Sequence, residues 1–318
     1  MRTRRVLFLF LTMFILLACG PRMRAAPELE VPQDQALIER GEYIANHLAI
    51  CVTCHSERLW DEPGAPPNPD GRFAGGNEWS EETVSVDGRG FPGSLYSTNL
   101  TQHPEYGLGA WTDGEVMRAI REGVNRDGKA LLLHPYQDFR HMTDRDVFAV
   151  IAYLRTLEPI ANEVPPRDTG FLINFFVNRG PEPLDGPVAP PAATDAVSRG
   201  AYLTEIAGCA GCHTPMKGMA PDPDRYMSGG TLFHEHGHTA VPSNLTPDPE
   251  TGLGQATYEE FETAMREGVS RHGQPLSPLM PRDYAGLTDE DMQAIWAYLQ
   301  SIPAIENDVS QAWEKARN

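Results

Sequence analysis

The sequence predicts an all-α chain made of two tandem copies of one helical domain. Three stretches repeat along the 318 residues: 40–55 matches 199–213 with one gap, 97–129 matches 242–274 throughout, and 142–164 matches 287–309. Each copy carries helix start and stop signals at corresponding places. Strand-like alternation of apolar and polar residues is nearly absent.

The elements follow in order. A first helix starts near Ala36 or Val197 and runs into "CVTCH" (51–55) or "CAGCH" (209–213). A middle helix starts at Thr112 or Thr257, with Glu115 or Glu260 three residues on, and stops at Gly123 or Gly268. A last helix starts at Thr143 or Thr288, with Asp146 or Asp291 in the capping-box position. Its apolar residues recur at helical spacing: Val147, Val150, Ile151 and Leu154, then Met292, Ile295, Trp296 and Leu299. The domains expected are 32–164 and 196–311, joined by a Pro- and Gly-rich linker over 165–195. That linker contains "FLINFFV" (171–177), too short to span a bilayer. It is expected to tuck between the copies; the alternative is an exposed docking patch. Residues 61–92 read as an insertion absent from the second copy, covering the first site or touching a partner.

The N-terminus has the pattern of an export signal. Arg2, Arg4 and Arg5 precede the apolar run 6–18, which ends in "LLAC" at Cys19. This end resembles the lipobox of bacterial lipoproteins, so residues 1–19 read as a signal peptide with a lipidated Cys19. Ordinary cleavage near Ala25 and Ala26 is the alternative. The formal net charge of −18 argues against nucleic acid. It suits a partner with a basic patch, or solubility alone.

The five cysteines can all be assigned. Cys19 goes to the anchor, and Cys51, Cys54, Cys209 and Cys212 form two CxxCH motifs, the attachment pattern of c-type haem. Two cysteines three apart lie on one side of a helical turn and can bond one porphyrin. The adjacent His55 and His213 are the expected proximal iron ligands. For the sixth ligand the second copy offers Met280, before Pro281. With one gap, His134 stands opposite Met280 and Pro135 opposite Pro281. His134 is therefore assigned to the first haem, with Met142 and His141 as rivals. Bis-imidazole ligation would put the first haem at lower potential than the second. "HEHGH" (234–238) is a candidate metal-binding loop.

Taken together, each repeat, from CxxCH through "NLT…GLG", "REGV", the "HP" or "MP" loop and "TDxD…AYL", resembles a class I cytochrome c domain. The resemblance is nearest to the multihaem cytochrome subunits of bacterial membrane-bound alcohol and gluconate dehydrogenases. It implies two covalently bound haem c groups in two tandem class I cytochrome c domains. It further implies electron transfer between a dehydrogenase and a quinone, another cytochrome or a terminal oxidase, on the periplasmic side of a bacterial membrane. This chain departs from that family in having two haem motifs rather than three, a lipid anchor rather than a C-terminal helix, and His134 where Met is usual. The reading is an electron carrier without a substrate pocket. The alternatives are a dihaem peroxidase with an open first iron, or a dihaem thiosulfate dehydrogenase of the Met- or His-ligated kind.

Overall fold

A computed structural model describes residues 24–191, 195–218 and 220–317. The leader and Cys19 lie outside the described residues. The chain is mixed α/β rather than all-α: helix makes up 36% and strand 10%, the strands forming three small sheets.

Each copy begins with a helix capped by Asp. In α1 (Gln35–Tyr43) Asp34 accepts from the Leu37 amide. α1 runs on into a π-helical turn, Ile44–Leu48, closed by the Ala49 amide donating to the Ile44 carbonyl at 2.8 Å. That turn lies where the repeat alignment has its gap, so it absorbs the extra residue of the first copy. Then comes α2 (Cys51–Cys54), the CxxC turn. The insertion carries β1 (Glu78–Ser80), β2 (Val84–Val86) and β3 (Arg89–Gly90), and β4 (Ser94–Tyr96) follows it. α3 (Asp113–Glu122) has the expected reciprocal capping box of Thr112 and Glu115 and ends at Gly123, φ 63°. α4 (Tyr136–Phe139) and α5 (Asp144–Leu154) complete the copy. After the linker helix α6 (Gly170–Val177), the second copy repeats the plan. It has α7 (Ala196–Ile206), α8 (Cys209–His213), β5 (Met216–Lys217), β6 (Ala220–Pro221), β7 (Phe233–Glu235), β8 (His238–Ala240), α9 (Tyr258–Glu267) and α10 (Asp289–Leu299). A last helix, α11 (Ser310–Arg317), follows the repeat.

Glycine sets the main helix crossing in each copy. α1 packs on α5 and α7 on α10. A methyl group at Gly41 would overlap the Ala149 carbonyl, and one at Gly200 the Ala294 carbonyl. Neither helix pair could approach as closely with a larger residue. One hydrophobic cluster then runs through both copies, including Ile44, Leu48 and Ile151 with Leu203, Ile206 and Ile295.

Two buried carboxylates tie the copies together. Asp146 receives Arg40 of its own copy at 2.9 Å and the Tyr202 hydroxyl of the other at 2.7 Å. Asp291 receives Arg199 of its own copy at 2.8 Å and the Tyr43 hydroxyl of the other at 2.7 Å. The sequence pattern suggests a capping-box role for these aspartates. Thr143 and Thr288 do cap their helices, but the two aspartate side chains serve the interface instead.

The strands explain why an all-α reading fails. Each is two or three residues long, too short to show a period of two. The largest sheet also has the order β3-β2-β7-β8, so β2 of the first copy pairs with β7 of the second, Val84 opposite Glu235. A pairing across 151 positions leaves no local trace. The insertion is also shorter than 61–92. The stretch 68–77 corresponds to 222–231: Asn68 and Asp222 cap short 3-10 turns, Phe73 and Met227 share φ 62°, and Gly75-Gly76 matches Gly229-Gly230. The "HEHGH" loop forms the turn and flanks of β7-β8. His236 donates to the Glu78 carbonyl and His238 to the Trp60 carbonyl, each at 3.1 Å, and both rings stack on Trp60. His234 is paired with the Thr239 hydroxyl. These histidines are committed to protein partners, and among the described residues no cluster suited to a metal is found.

The linker does not tuck between the copies. It lies along the first copy: Asn178 accepts from the Ala130 amide at 2.9 Å, Glu122 from the Leu184 amide at 3.2 Å and Asp144 from the Val188 amide at 3.1 Å. α6 itself has no buried residue.

Two predictions follow from the crossings. Gly200→Ala should cost about 3 kcal/mol in urea unfolding, because backbone rather than a mobile side chain stands in the way. Tyr43→Phe and Tyr202→Phe should each cost about 1.5 kcal/mol, since each leaves a buried carboxylate short of one donor. A double variant whose cost departs from the sum by more than about 0.5 kcal/mol would check that the two sites are coupled, as the Arg40 guanidinium 5.3 Å over the Tyr43 ring implies.

Candidate haem sites

The residue before each first cysteine has a left-handed backbone: Ile50 at φ 41° and Gly208 at φ 68°. This reversal turns the chain from the first helix into the CxxC turn. Glycine does it without strain, whereas Ile50, a β-branched residue, is held there at a cost of order 1–3 kcal/mol. All four CxxC cysteines are free thiols rather than disulfides. Desolvation by the surrounding protein keeps the thiols neutral, pushing the half-buried Cys51 up to about 12 and the exposed Cys54 up to about 11. Cys209 is likewise raised to about 12 and Cys212 to about 11.

The proximal histidines are oriented alike. The His55 Nδ1 faces the Thr98 carbonyl at 2.7 Å, and the His213 Nδ1 faces the Ser243 carbonyl at 2.8 Å. A carbonyl partner holds the proton on Nδ1 and leaves Nε2 with its lone pair outward. Burial lowers the pKa of both rings, so both are neutral donors. The "NLT" turns hold those carbonyls in place. Asn99 accepts from the Thr101 amide and hydroxyl and donates to the Ile160 carbonyl, and Asn244 repeats this with Thr246 and Ile305.

Three contributors escape a reading of the sequence. Thr98 and Ser243 act through backbone carbonyls, which any residue has. Asn77 donates to the Thr53, Cys54 and Ser56 carbonyls at 3.2, 2.8 and 2.5 Å and accepts from the Arg58 amide at 3.1 Å, locking the first CxxCH. Thr231 occupies the matching place in the second copy. The repeat of "GG" before Asn77 and Thr231 is the signal that could have drawn attention to it.

On the distal side, His134 and Met280 occupy corresponding places. The Leu131 amide bonds the Gly123 carbonyl and the Leu276 amide bonds the Gly268 carbonyl, so the two loops leave their helices alike, the second with one residue more before its proline. Pro135 and Pro281 then each start a short helical turn. The His134 Nδ1 is buried with no hydrogen-bond partner. Burial, then the proximity of the His55 ring, lowers its pKa to about 3. It is thus a neutral imidazole within electrostatic reach of the proximal one. Leu133, just before it, is left-handed at φ 58°. Met280 is partly buried against the core. The rivals lie elsewhere: Met142 is 1% exposed in the core, and His141 is on the surface 3.6 Å from Glu205. This donor set fits two haem c groups: paired free thiols, an oriented imidazole, and an opposing imidazole or thioether.

The two motifs also approach each other. After burial, the Cys54 thiol is influenced by Glu235 and Arg58 and then by Cys212, and Cys212 in turn by Glu235. Tyr284 donates to the Ala207 carbonyl at 2.5 Å and is influenced by cysteines of both motifs.

Asp138 of the first copy lies over Gly208, next to Cys209. Burial, reinforced by Glu205 and opposed by His141, raises its pKa from 3.8 to about 6. A raised carboxyl favours the fold when protonated, and that contribution is lost as pH rises through the folded value. Asp138→Asn should therefore match the parent near pH 4 and become the more stable of the two above about pH 6, as read from urea midpoints against pH.

With this geometry established, the similarities are specific. The cytochrome c family model matches residues 197–303. The chain is 31% identical over 294 residues to the cytochrome c subunit of alcohol dehydrogenase (quinone) of Gluconacetobacter polyoxogenes, covering 86% of this chain and 57% of the relative. It is 29% identical over 305 residues to the fructose dehydrogenase cytochrome subunit of Gluconobacter japonicus, covering 91% and 58%. It is also 29% identical over 226 residues to a diheme cytochrome c-type protein of Cereibacter sphaeroides, covering 67% and 73%. The chain thus spans little more than half the length of the two dehydrogenase-associated relatives. Residues 197–303 match the cytochrome c family, and the chain as a whole is similar to the cytochrome subunits of alcohol and fructose dehydrogenases.

Proposed function

We propose that this chain is a dihaem cytochrome c that accepts electrons from a dehydrogenase and passes them to the respiratory chain. It would be held by a lipid on Cys19 at the periplasmic side of a bacterial membrane. The observation that carries the haem reading is the buried, unpartnered His134 imidazole within reach of the oriented His55. A dehydrogenase partner is supported by the relatives named as dehydrogenase cytochrome subunits, and two haems by the repeated motif and the diheme relative. The lipid anchor and the location rest on the sequence around Cys19.

Bound haem supplies a one-electron ferric/ferrous couple. Cys51 and Cys54, and Cys209 and Cys212, would hold the two groups through thioethers. His55 and His213 present Nε2 to iron, held there by the Thr98 and Ser243 carbonyls. His134 and Met280 would hold the two groups from the opposite side, leaving no place for a substrate. The thioether of Met280 favours the ferrous state more than the His134 imidazole does. A haem held by Met280 would therefore be higher in potential than one held by His134.

Low-temperature EPR with near-infrared bands of the oxidised protein tests this. One bis-imidazole and one imidazole–thioether low-spin haem are expected. Only the first should turn high-spin in His134→Ala, and Met280→His should lower the second potential by on the order of 0.1 V. A five-coordinate first haem in the parent protein, with peroxide turnover, would replace the carrier reading by a peroxidase. A haem content of one per chain would remove the two-site reading.

A further inference from the structure

The most exposed apolar surface among the described residues is α6. Phe171, Leu172 and Phe176 are 79%, 68% and 67% exposed. Leu133, one residue from His134, is 55% exposed. Its loop meets the segment around the end of α6 at both ends: Ala130 bonds Asn178, and Tyr136 approaches Gly180. Such a surface needs an occupant.

We propose that α6 lies in the interfacial plane of a phospholipid bilayer, with Phe171, Leu172 and Phe176 among the acyl chains. The position of the N-terminal segment supports this occupant. Arg24, the first described residue, is ion-paired with Asp185, and its carbonyl accepts from Arg118 at 3.0 Å. Arg118 also donates to the Asn125 carbonyl, and Asn125 bonds Lys129, next to the Ala130–Asn178 contact. Residues 24–31 are clamped on α3, where Val31 donates to Asp113 and Gly114 leaves room for Pro27. The chain therefore reaches the α6 side of the first copy at a fixed place, with Cys19 and the apolar run 6–18 just upstream in the sequence. Five residues extend at most about 18 Å.

Charge supports the same occupant. In a chain of net −18, the ends of α6 carry Arg167, which donates to the Ala130 carbonyl, and Arg179, whose guanidinium stacks 3.6 Å from the Phe175 ring centre. Against them stands Asp168. Aromatic residues between flanking arginines suit an interface of acyl chains and anionic headgroups.

Flotation, on phosphatidylglycerol–phosphatidylethanolamine vesicles, of the holocytochrome exported behind a cleavable signal so that it begins at Gly20, without Cys19 or the apolar run 6–18, separates this surface from any anchor at the N-terminus. The parent is expected to float. Phe171→Ser/Leu172→Ser/Phe176→Ser should lose about ten-fold in partitioning with its haem spectrum unchanged. Arg167→Gln/Arg179→Gln should lose roughly five-fold per charge, and only on vesicles containing phosphatidylglycerol. Should the triple variant misfold, Phe171→Ser alone carries the test. Absence of flotation in the parent, or equal flotation of parent and triple variant, overturns the proposal. Unchanged flotation with slowed reduction by a dehydrogenase would assign the face to a protein instead. The haem spectrum reports the haem sites separately throughout.

Discussion

Two buried carboxylates, each shared between the copies, are the constraint on which the rest of the arrangement depends. Asp291 is 1% exposed and Asp146 6%. A carboxylate that far from water must be paired and hydrogen-bonded. Each finds its arginine at home and its tyrosine across the interface. The exchange is mutual, so separating the copies would strip a donor from both at once. It also brings the CxxCH turns together. Below the crossed pairs, the Thr53 hydroxyl donates to Asp283 at 2.7 Å, the His47 ring meets the Asp283 carbonyl at 2.9 Å, and Arg58 donates to the Pro278 carbonyl at 2.7 Å. The loop bearing Met280 is therefore braced by residues flanking the first motif. Neither site is structurally independent of the other.

What the sequence made legible was whatever repeats at short range. The caps of α3 and α9 and the glycines that end them follow from residue types at fixed offsets. The π-turn is legible in retrospect, because a one-residue gap inside a helix needs a local widening. Less accessible were features whose signal lies in pairing or in backbone atoms. The β2–β7 ladder joins segments far apart in the chain. Thr98 and Ser243 contribute only carbonyls. Asn77 is one amide among many until the fold sets it beneath the first motif. The linker was misjudged for another reason. Apolar composition says that a segment avoids water, not what it will find instead.

The duplication is close in architecture and uneven in chemistry. His55 and His213 rest on equivalent carbonyls, and the loops bearing His134 and Met280 leave their helices through the same backbone bonds. The differences are concentrated around the first motif. Ile50 takes a conformation that Gly208 adopts freely, Leu133 is left-handed, and His134 stands where the other copy has Met280.

The mixed sheet has a consequence for the order in which the molecule can form. β2 is flanked by β3, its hairpin partner, and by β7. A chain that emerges N-terminus first completes the β2–β3 hairpin long before residue 233 arrives. Until then one edge of β2 presents unpaired amides and carbonyls, and Trp60 lacks the histidine rings on which it stacks. Contacts of such long sequence separation form slowly and late. The first copy thus stays open on the side of its CxxCH turn until the second copy docks, and closure of the sheet is a final step shared by the whole chain.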